Sequence, residues 1–429
     1  MTAYSSVARL AKSLSILNSQ SARAVFISVS EEAAVQAAAE ALLRDQQGKK
    51  LSAIDGYIVA VKGNVDIQQL TTRVGSKALN LPAAQKDAPL VSDLRAAGAV
   101  ILGHTNMSEF AFSGLGLNPH FGTPINPLSA DEPLVPGGSS AGSASAVALG
   151  IADIAIGTDT SGSVRIPAAF QGLVGYRPSM HRYCMAGVFP LAPSLDTVGI
   201  IATTVRQIIA TDLALAAINQ HPLAHPKSYS SFIAPSTDFL SDCEPCVLQR
   251  FEDTLQALQN NGFNITRFDS TSLIATRLLF KQQGTLVAIE ALQSLSVYME
   301  DPDFSMDETI YQRLQAAKQI SSANIELIKS SQATFQQAMV NEMNSRCLLL
   351  PTTPNSTPTI SAAHSEQYST INQQTLSYTM LSAFLNLPTI AIPVNNGFAG
   401  NSLSISGTAN TDDILLSAAL NIEQSLAYK

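Results

Sequence analysis

Charged residues are scarce in this sequence: Asp, Glu, Lys and Arg make up only 14% of its 429 residues, and no run of like charges occurs. Acidic residues outnumber basic ones, which gives a formal net charge of −8 at pH 7. A nucleic-acid groove or a patch for an anionic membrane needs clustered Lys and Arg. The composition therefore argues against nucleic acid and membrane surfaces as partners.

Metal-ligating side chains are also few, with six His and four Cys. The histidines form no H-E-x-x-H motif, and the close pair Cys243 and Cys246 has neither a second pair nor a His at ligand spacing. The phosphate-loop pattern G-x-x-x-x-G-K-[ST] is absent as well. We therefore expect reduced thiols, no metal and no cofactor.

Long apolar runs are missing, although apolar residues make up 46% of the sequence. No uncharged run reaches the roughly 18 residues that a membrane span requires. Residues 1–20 contain neither an unbroken apolar segment nor a cleavage signature. The sequence thus predicts a cytoplasmic protein with a deep core, and it leaves open whether the chain forms a homodimer.

The predicted elements alternate between helices and short apolar strands. In chain order they are helix 3–45, strand 58–61, helix 87–97, strand 99–102, helix 141–149 and strand 154–156. Residues 195–199 resemble a turn, and residues 275–345 are almost wholly helical in pattern. Helix, glycine, strand and turn in this order indicate an α/β fold.

Small residues are concentrated between positions 137 and 165, in two turns that bracket an Ala-rich helix and an apolar strand. Ser139 lies in the first turn and Ser163 in the second, and Lys62 ends the predicted strand upstream. Closely spaced small residues let backbone N–H groups approach a reacting atom. Two serines and a lysine without an evident His partner indicate a serine hydrolase whose base is an amine.

These segments resemble the signature of the amidase signature family. The resemblance is carried by GGSSAGS at 137–143, GTDTSGSVRIPA at 157–168, VKGNVD at 61–66 and G-x-x-G-x-x-P at 172–178. It extends over essentially the whole chain and is densest at about 54–205. It implies one α/β/α domain of residues 1–429, with a large, mixed, twisted sheet covered by helices and a variable, substrate-determining helical region at about 275–385.

By motif position, the resemblance implies a Ser–Ser–Lys triad. Ser163 corresponds to the nucleophile, Ser139 to a bridging serine that follows a cis peptide bond, and Lys62 to the base. An ammonium cannot accept a proton, so burial must lower the pKa of Lys62 by about 3 from its ordinary value near 10.4. The implied reaction is hydrolysis of a small-molecule amide to a carboxylate and ammonia or an amine through an acyl-enzyme.

The resemblance also assigns supporting residues. The oxyanion would be held by backbone N–H groups of four consecutive residues, Thr160, Ser161, Gly162 and Ser163. Asp159 and Arg165 are expected to form an ion pair that shapes this loop, together with Ser140. The sequence departs from the family pattern at Gly63, Ser161 and His104, where Asp, Gly and Lys respectively are usual.

Two other functions remain open at this stage. The same family includes subunits of tRNA-dependent amidotransferases, which need partner chains. The segment 138–142 also fits the G-x-S-x-G elbow of α/β-hydrolases, with Ser140 as the nucleophile of an esterase and His364 or His225 as the base. Two prolines in the preceding residues 131–136 argue against that interpretation.

In the helical region, four side chains are candidate anchors for the acyl group: Arg277, Arg313, His364 and Tyr378.

Overall fold

The computed structural model describes residues 5–79, 81–218, 231–300, 304–394 and 399–427. The strands in these residues are β1 (Phe26–Val29), β2 (Ile58–Lys62), β3 (Val100–Thr105), β4 (Ile154–Asp159), β5 (Val174–Arg177), β6 (Thr197–Ala202), β7 (Ser231–Pro235), β8 (Asn264–Phe268), β9 (Cys347–Pro351), β10 (Thr389–Pro393) and β11 (Ser402–Ser406). The helices are α1 (Ser6–Leu17), α2 (Glu31–Gln46), α3 (Pro89–Ala96), α4 (Ala141–Ala148), α5 (Arg165–Phe170), α6 (Val205–Ile218), α7 (Pro245–Asn260), α8 (Thr271–Gln283), α9 (Leu286–Met299), α10 (Glu308–Ala317), α11 (Ser322–Met343), α12 (Ile360–Ala363), α13 (Tyr368–Phe384) and α14 (Asp412–Ala427). Short 3₁₀ turns cover Gln20–Ala22 and Glu109–Ala111.

All of these strands belong to one mixed sheet of 11 strands, in the order β1-β3-β2-β4-β6-β5-β10-β11-β9-β7-β8. Strands β3, β2 and β4 run parallel to one another, as do β9, β7 and β8. The intervening pairs and the β1 edge are antiparallel. The predicted α/β fold with a large mixed sheet is confirmed.

Both faces of the sheet are covered by helices, and β2 shows why its sequence is apolar throughout. Val59 and Val61 point to one face, where helices α3, α6 and α14 complete the core. Ile58 and Ala60 point to the other face, where α1, α2 and α4 pack. Because successive side chains of a strand alternate between the faces, a strand buried on both sides has no polar positions.

Two local predictions were wrong. The segment predicted as one helix over residues 3–45 contains α1, a 3₁₀ turn, β1 and α2, because Phe26–Val29 pairs with β3 to form the edge of the sheet. Most of the residues expected in a turn at 195–199 belong to β6, which pairs with β4 and β5 in the centre of the sheet. In both places, pairing with distant strands overrides local pattern.

The segment predicted to be helical at 275–345 forms most of α8 and the whole of α9, α10 and α11. These helices lie outside the sheet and pack against one another and against its core. Among the described residues, no helix is long and apolar enough to cross a bilayer.

Candidate active site

The candidate site lies where β2 and β4 end. The two strands are parallel neighbours, with Val61 opposite Ile156, so their carboxyl ends reach the same edge of the sheet. The last residue of β2 is Lys62, and β4 ends at Asp159 and leads into the loop that carries Ser163. Neighbouring parallel strands therefore bring together residues that lie about a hundred positions apart in the sequence. Such edges are common binding sites in α/β proteins.

Lys62 is fully buried, and its Nζ atom lies 2.8 Å from Ser139 Oγ and 2.7 Å from Thr158 Oγ1. Burial lowers the pKa of Lys62 from 10.5 to about 7, although the negative charges of Asp159 and Asp196 oppose this change. At neutral pH a large fraction of this amine is therefore uncharged, and an uncharged amine accepts a proton.

Gly63 occupies the position at which the family usually has a carboxylate. A Cβ atom there would approach the carbonyl oxygen of Thr105 to 2.9 Å, so the close packing of β2 against β3 favours glycine. The chain thus carries no carboxylate directly after Lys62. His104, another departure from the pattern, is buried, with its Nε2 atom 2.7 Å from the carbonyl oxygen of Val65.

Ser139, the residue expected to bridge, is buried, and the Gly138–Ser139 peptide bond is cis. The carbonyl oxygen of Ser139 accepts from Ser108 N–H at 3.1 Å, and Ser140 N–H donates to the Ser163 carbonyl at 3.2 Å. The two serine turns are therefore joined through their backbones. Among the described residues, Ser139 donates or accepts no hydrogen bond with the Ser163 hydroxyl.

Asp159 organises the loop that carries Ser163. Its carboxylate forms a two-point ion pair with Arg165, with both N···O distances at 2.9 Å, and accepts the Gly162 N–H at 2.7 Å. Arg177 lies 3.6 Å away on another side. Burial alone would raise the pKa of Asp159, but the charges of Arg165 and Arg177 lower it to about 2. The expected Asp159–Arg165 ion pair is therefore present.

The loop presents three N–H groups rather than the four that the sequence predicted. Gly162 N–H already donates to Asp159, so Gly162 is a wrong assignment as an oxyanion donor. For Thr160, Ser161 and Ser163, no N–H has an acceptor among the described residues. Such groups are available to a ligand because a polar N–H needs a partner when it is buried.

The backbone conformation at Gly162 explains why glycine is needed at one position of the loop and not at its neighbour. Gly162 has φ +134°, and a Cβ there would overlap Thr379 Oγ1. Ser161 does not adopt a positive φ, and its carbonyl accepts from Thr379 Oγ1 at 2.6 Å. The serine at position 161 therefore fits without the strain that a left-handed conformation would cause.

A cavity of about 30 Å³ opens at Ser163 and distinguishes among the four candidate anchors. Arg313 lines this cavity together with Ser161 and Ser163. Arg277 and Tyr378 do not: Arg277 stacks on Phe239, and the Tyr378 hydroxyl donates to Asp242 at 2.6 Å.

His364 lies at a second cavity of about 440 Å³ that does not include Ser163.

The elbow hypothesis fails on local geometry. No strand leads into Ser140, which directly precedes α4, and its hydroxyl is buried and directed at the Thr158 carbonyl at 3.4 Å. An elbow needs a strand before the serine and an exposed hydroxyl. The other histidine proposed as its base, His225, lies outside the described residues.

Several residues of the site escaped sequence reasoning. Thr158 contacts Lys62 and also accepts from the Asn64 amide at 3.1 Å. Asp196 accepts from the Thr160 hydroxyl at 2.5 Å. The only signal for Thr158 and Asn64 is that they lie next to or near the predicted catalytic positions. Arg177 and Thr379 carry no such signal, because the fold alone brings them to the loop.

The described residues contain no group of three or more His, Cys, Asp or Glu side chains arranged to hold a metal ion. The chemical groups at this edge of the sheet are instead an amine, hydroxyls and free N–H groups. This set is suited to moving protons and stabilising an oxyanion.

Comparison with known proteins gives the class. The family model described as "Amidase" matches residues 10–416. The 2-amino-5-chloromuconic acid deaminase of Comamonas testosteroni is 32% identical over 401 residues, which cover 90% of this chain and 85% of the relative. The indoleacetamide hydrolase of Pseudomonas savastanoi is 30% identical over 392 residues, which cover 87% of this chain and 84% of the relative.

A solved structure described as an amidase is similar throughout its fold, with a TM-score of 0.87, 26% identity, and coverage of 99% of this chain and 96% of that one. The chain belongs to the amidase family and is an amide-hydrolysing enzyme.

Proposed function

We propose that this enzyme hydrolyses the carbon–nitrogen bond of a small-molecule amide through an acyl-enzyme on Ser163, with Ser139 and Lys62 as its proton relay. The observation that carries the proposal is the buried Lys62 amine, whose pKa is lowered to about 7, within 2.8 Å of the Ser139 hydroxyl. The alkaline pKa of an ordinary lysine would leave almost no base at neutral pH.

In the proposed acylation, Ser139 passes its proton to neutral Lys62 and takes the proton of Ser163. The Ser163 oxygen forms a bond to the amide carbon, and the oxyanion is stabilised by the N–H groups of Thr160, Ser161 and Ser163. Lys62 then returns its proton through Ser139 to the nitrogen as the C–N bond breaks. Water cleaves the ester by the same relay and releases the carboxylate. The Ser139–Ser163 contact would close when substrate binds, as catalytic hydrogen bonds often do.

We propose that the helical region at about 275–385 determines the substrate. The support is its share of the cavity wall at Ser163, which it supplies from α9, α10, α13 and the residue before α9: Thr285, Val287, Arg313, Leu376 and Met380. The relatives' names, an acid deaminase and an indoleacetamide hydrolase, leave the charge of the substrate open.

The test is covalent labelling of the purified chain with a fluorophosphonate, followed by peptide mapping. We expect the adduct on Ser163, loss of labelling in Ser163→Ala, and unchanged labelling in Ser92→Ala, a matched change on the exposed face of α3. An adduct on Ser140 would refute the proposal. Ammonia release from simple amides by the chain alone is also expected; activity that appears only with partner chains would favour the amidotransferase alternative.

A further inference from the structure

Arg313 is the one charged side chain among the described residues that line the cavity at Ser163. The other lining residues are Ser, Thr and apolar side chains. Arg313 is half-buried, and a cation that loses part of its solvation without gaining an anion is destabilising. Its position beside the proposed nucleophile therefore requires an explanation.

The protein itself satisfies Arg313 only in part. The guanidinium stacks on the Phe112 ring, 3.9 Å from its centroid, and Nη1 donates to the Phe112 carbonyl oxygen. Burial lowers the pKa of Arg313, and only the Tyr368 hydroxyl opposes this change. Among the described residues, no carboxylate lies within ion-pair distance of Arg313. A guanidinium has five N–H donors, so it retains donors for a further acceptor.

Arg277 provides an internal comparison. It also stacks on a phenylalanine at 3.9 Å, Phe239, and its Nη1 also donates to the carbonyl oxygen of that residue, at 2.9 Å. Arg277, however, lies outside the cavity and has the Asp242 carboxylate 3.5 Å away. The two arginines share one packing arrangement, and the one that faces Ser163 lacks the anion.

Three acidic groups at the start of α10 are already engaged, and one of them, Glu308, accepts from the Gln312 amide. Asp307, one residue before α10, accepts from the N–H and hydroxyl of Thr309 at 2.9 and 2.6 Å. The buried Glu109 accepts Asp307 N–H at 2.6 Å and lies 2.8 Å from His120 Nε2. These contacts fix the start of α10 against the 3₁₀ turn at Glu109–Ala111, and neither the Asp307 nor the Glu109 carboxylate forms an ion pair with Arg313.

We infer that the substrate is a short amide that also carries a carboxylate, and that Arg313 binds this carboxylate while Ser163 attacks the amide carbon. The inference rests on the proposed function and extends it to a substrate class: monoamides of short dicarboxylic acids. Arginine is suited to this task because its planar fork binds both oxygens of a carboxylate. The small volume of the cavity, about 30 Å³, favours short acyl groups over bulky ones, and the carboxylate takes no part in the bond changes.

The experiment compares matched substrates that differ only in charge: succinamate against succinamide, and glutaramate against glutaramide, with ammonia release as the readout. We expect kcat/KM to be at least about tenfold higher for the carboxylated member of each pair, as a charge-assisted hydrogen bond provides. In Arg313→Gln this ratio should fall to about one, and in Arg313→Lys it should be intermediate because the charge remains without the fork. Arg277→Gln is the matched control and should keep the ratio of the wild type.

Each outcome bears on a different claim. A wild-type preference for the diamides, or a preference for the monoamides that survives in Arg313→Gln, would overturn the inference and leave the proposed function intact. Failure to hydrolyse any of the four compounds would count against the proposed function itself. If Arg313→Gln does not fold, as judged by fluorophosphonate labelling, the wild type still decides: free succinate should slow labelling of Ser163, and an equal ionic strength of chloride should not. No protection by succinate would overturn the inference.

Discussion

Replacing Lys62 tests the proposed base through the pH dependence of the reaction. Burial lowers the pKa of this amine from 10.5 to about 7. With the ordinary pKa, roughly three in ten thousand molecules would carry the neutral amine at pH 7; with a pKa of about 7, about half do. The structure thus raises the fraction of uncharged Lys62, the form that can act as a base, about a thousandfold at neutral pH.

The same change in pKa has an energetic consequence. At 1.36 kcal/mol per pKa unit, burying the charged amine costs about 5 kcal/mol. Because the folded state releases the proton near pH 7 while the unfolded chain holds it up to about 10.5, raising the pH in this window stabilises the fold. Relative to Lys62→Met, the free energy of unfolding of the wild type should rise by about 2 to 3 kcal/mol between pH 7 and 9.

The assay is kcat/KM for amide hydrolysis from pH 5 to 9.5. For the wild type we expect a limb that rises tenfold per pH unit and levels off above about 7, since neutral Lys62 is the active form. Lys62→Met should lose this limb and about 10²–10⁴ in rate. Lys62→Arg should not restore either, because guanidinium does not release its proton. Lys50→Met, which changes a half-exposed lysine, is the control.

A Lys62→Met enzyme that keeps near-wild-type activity with an unchanged acid limb would exclude Lys62 as the base. A limb that levels off only near pH 10 would refute the lowered pKa, because the amine would then be charged at neutral pH. Unfolding measured by denaturant at several pH values provides the independent check, since linkage predicts its slope without any reference to catalysis.

Two further changes test the loop around Asp159. Arg177→Met should destabilise the fold by about 3–5 kcal/mol. It should also move the rising limb of kcat/KM to higher pH, because less positive charge would then offset Asp159, and the negative charge of Asp159 would raise the pKa of Lys62. A limb at the wild-type pH would contradict this link. Gly162→Ala should lower kcat by about a hundredfold, because Gly162 has φ +134° and a Cβ atom there would overlap α13. The control is Gly262→Ala, at a glycine that also has a positive φ but has open space around it, and this variant should keep the kcat of the wild type.

The sequence carries more information about the proposed catalytic residues than about the fold elements around them. Lys62, Ser139 and Ser163 are proposed because they match the motif positions of the amidase signature family, and the structure brings Lys62 and Ser139 within hydrogen-bond distance. Strands β1 and β6 were missed because a strand of four to six residues is stabilised by its partners, and those partners are distant in sequence. Local pattern carries little information about such pairing.

Arg313, the arginine proposed to bind the substrate carboxylate, shows the same limit at the level of one side chain. Arg277 and Arg313 both lie in helices, and both stack on a phenylalanine. Only the path of the chain puts one of them beside Ser163 and the other beside Asp242. Likewise, the resemblance assigned Gly162 as an oxyanion donor by motif position, but its N–H is used by Asp159.

The bond between Thr379 and the Ser161 carbonyl joins residues 218 positions apart. Arg165 is likewise bound by the Ser382 hydroxyl and the Thr379 carbonyl, across 217 and 214 positions. Contacts of such long range can form only when both segments of the chain are present, and they add a loop-closure entropy cost. A chain that is still being synthesised therefore contains Lys62, Ser139 and Ser163 before it has α13, the helix that binds the loop of the proposed nucleophile. We therefore expect this loop to take its final shape only after α13 has been synthesised.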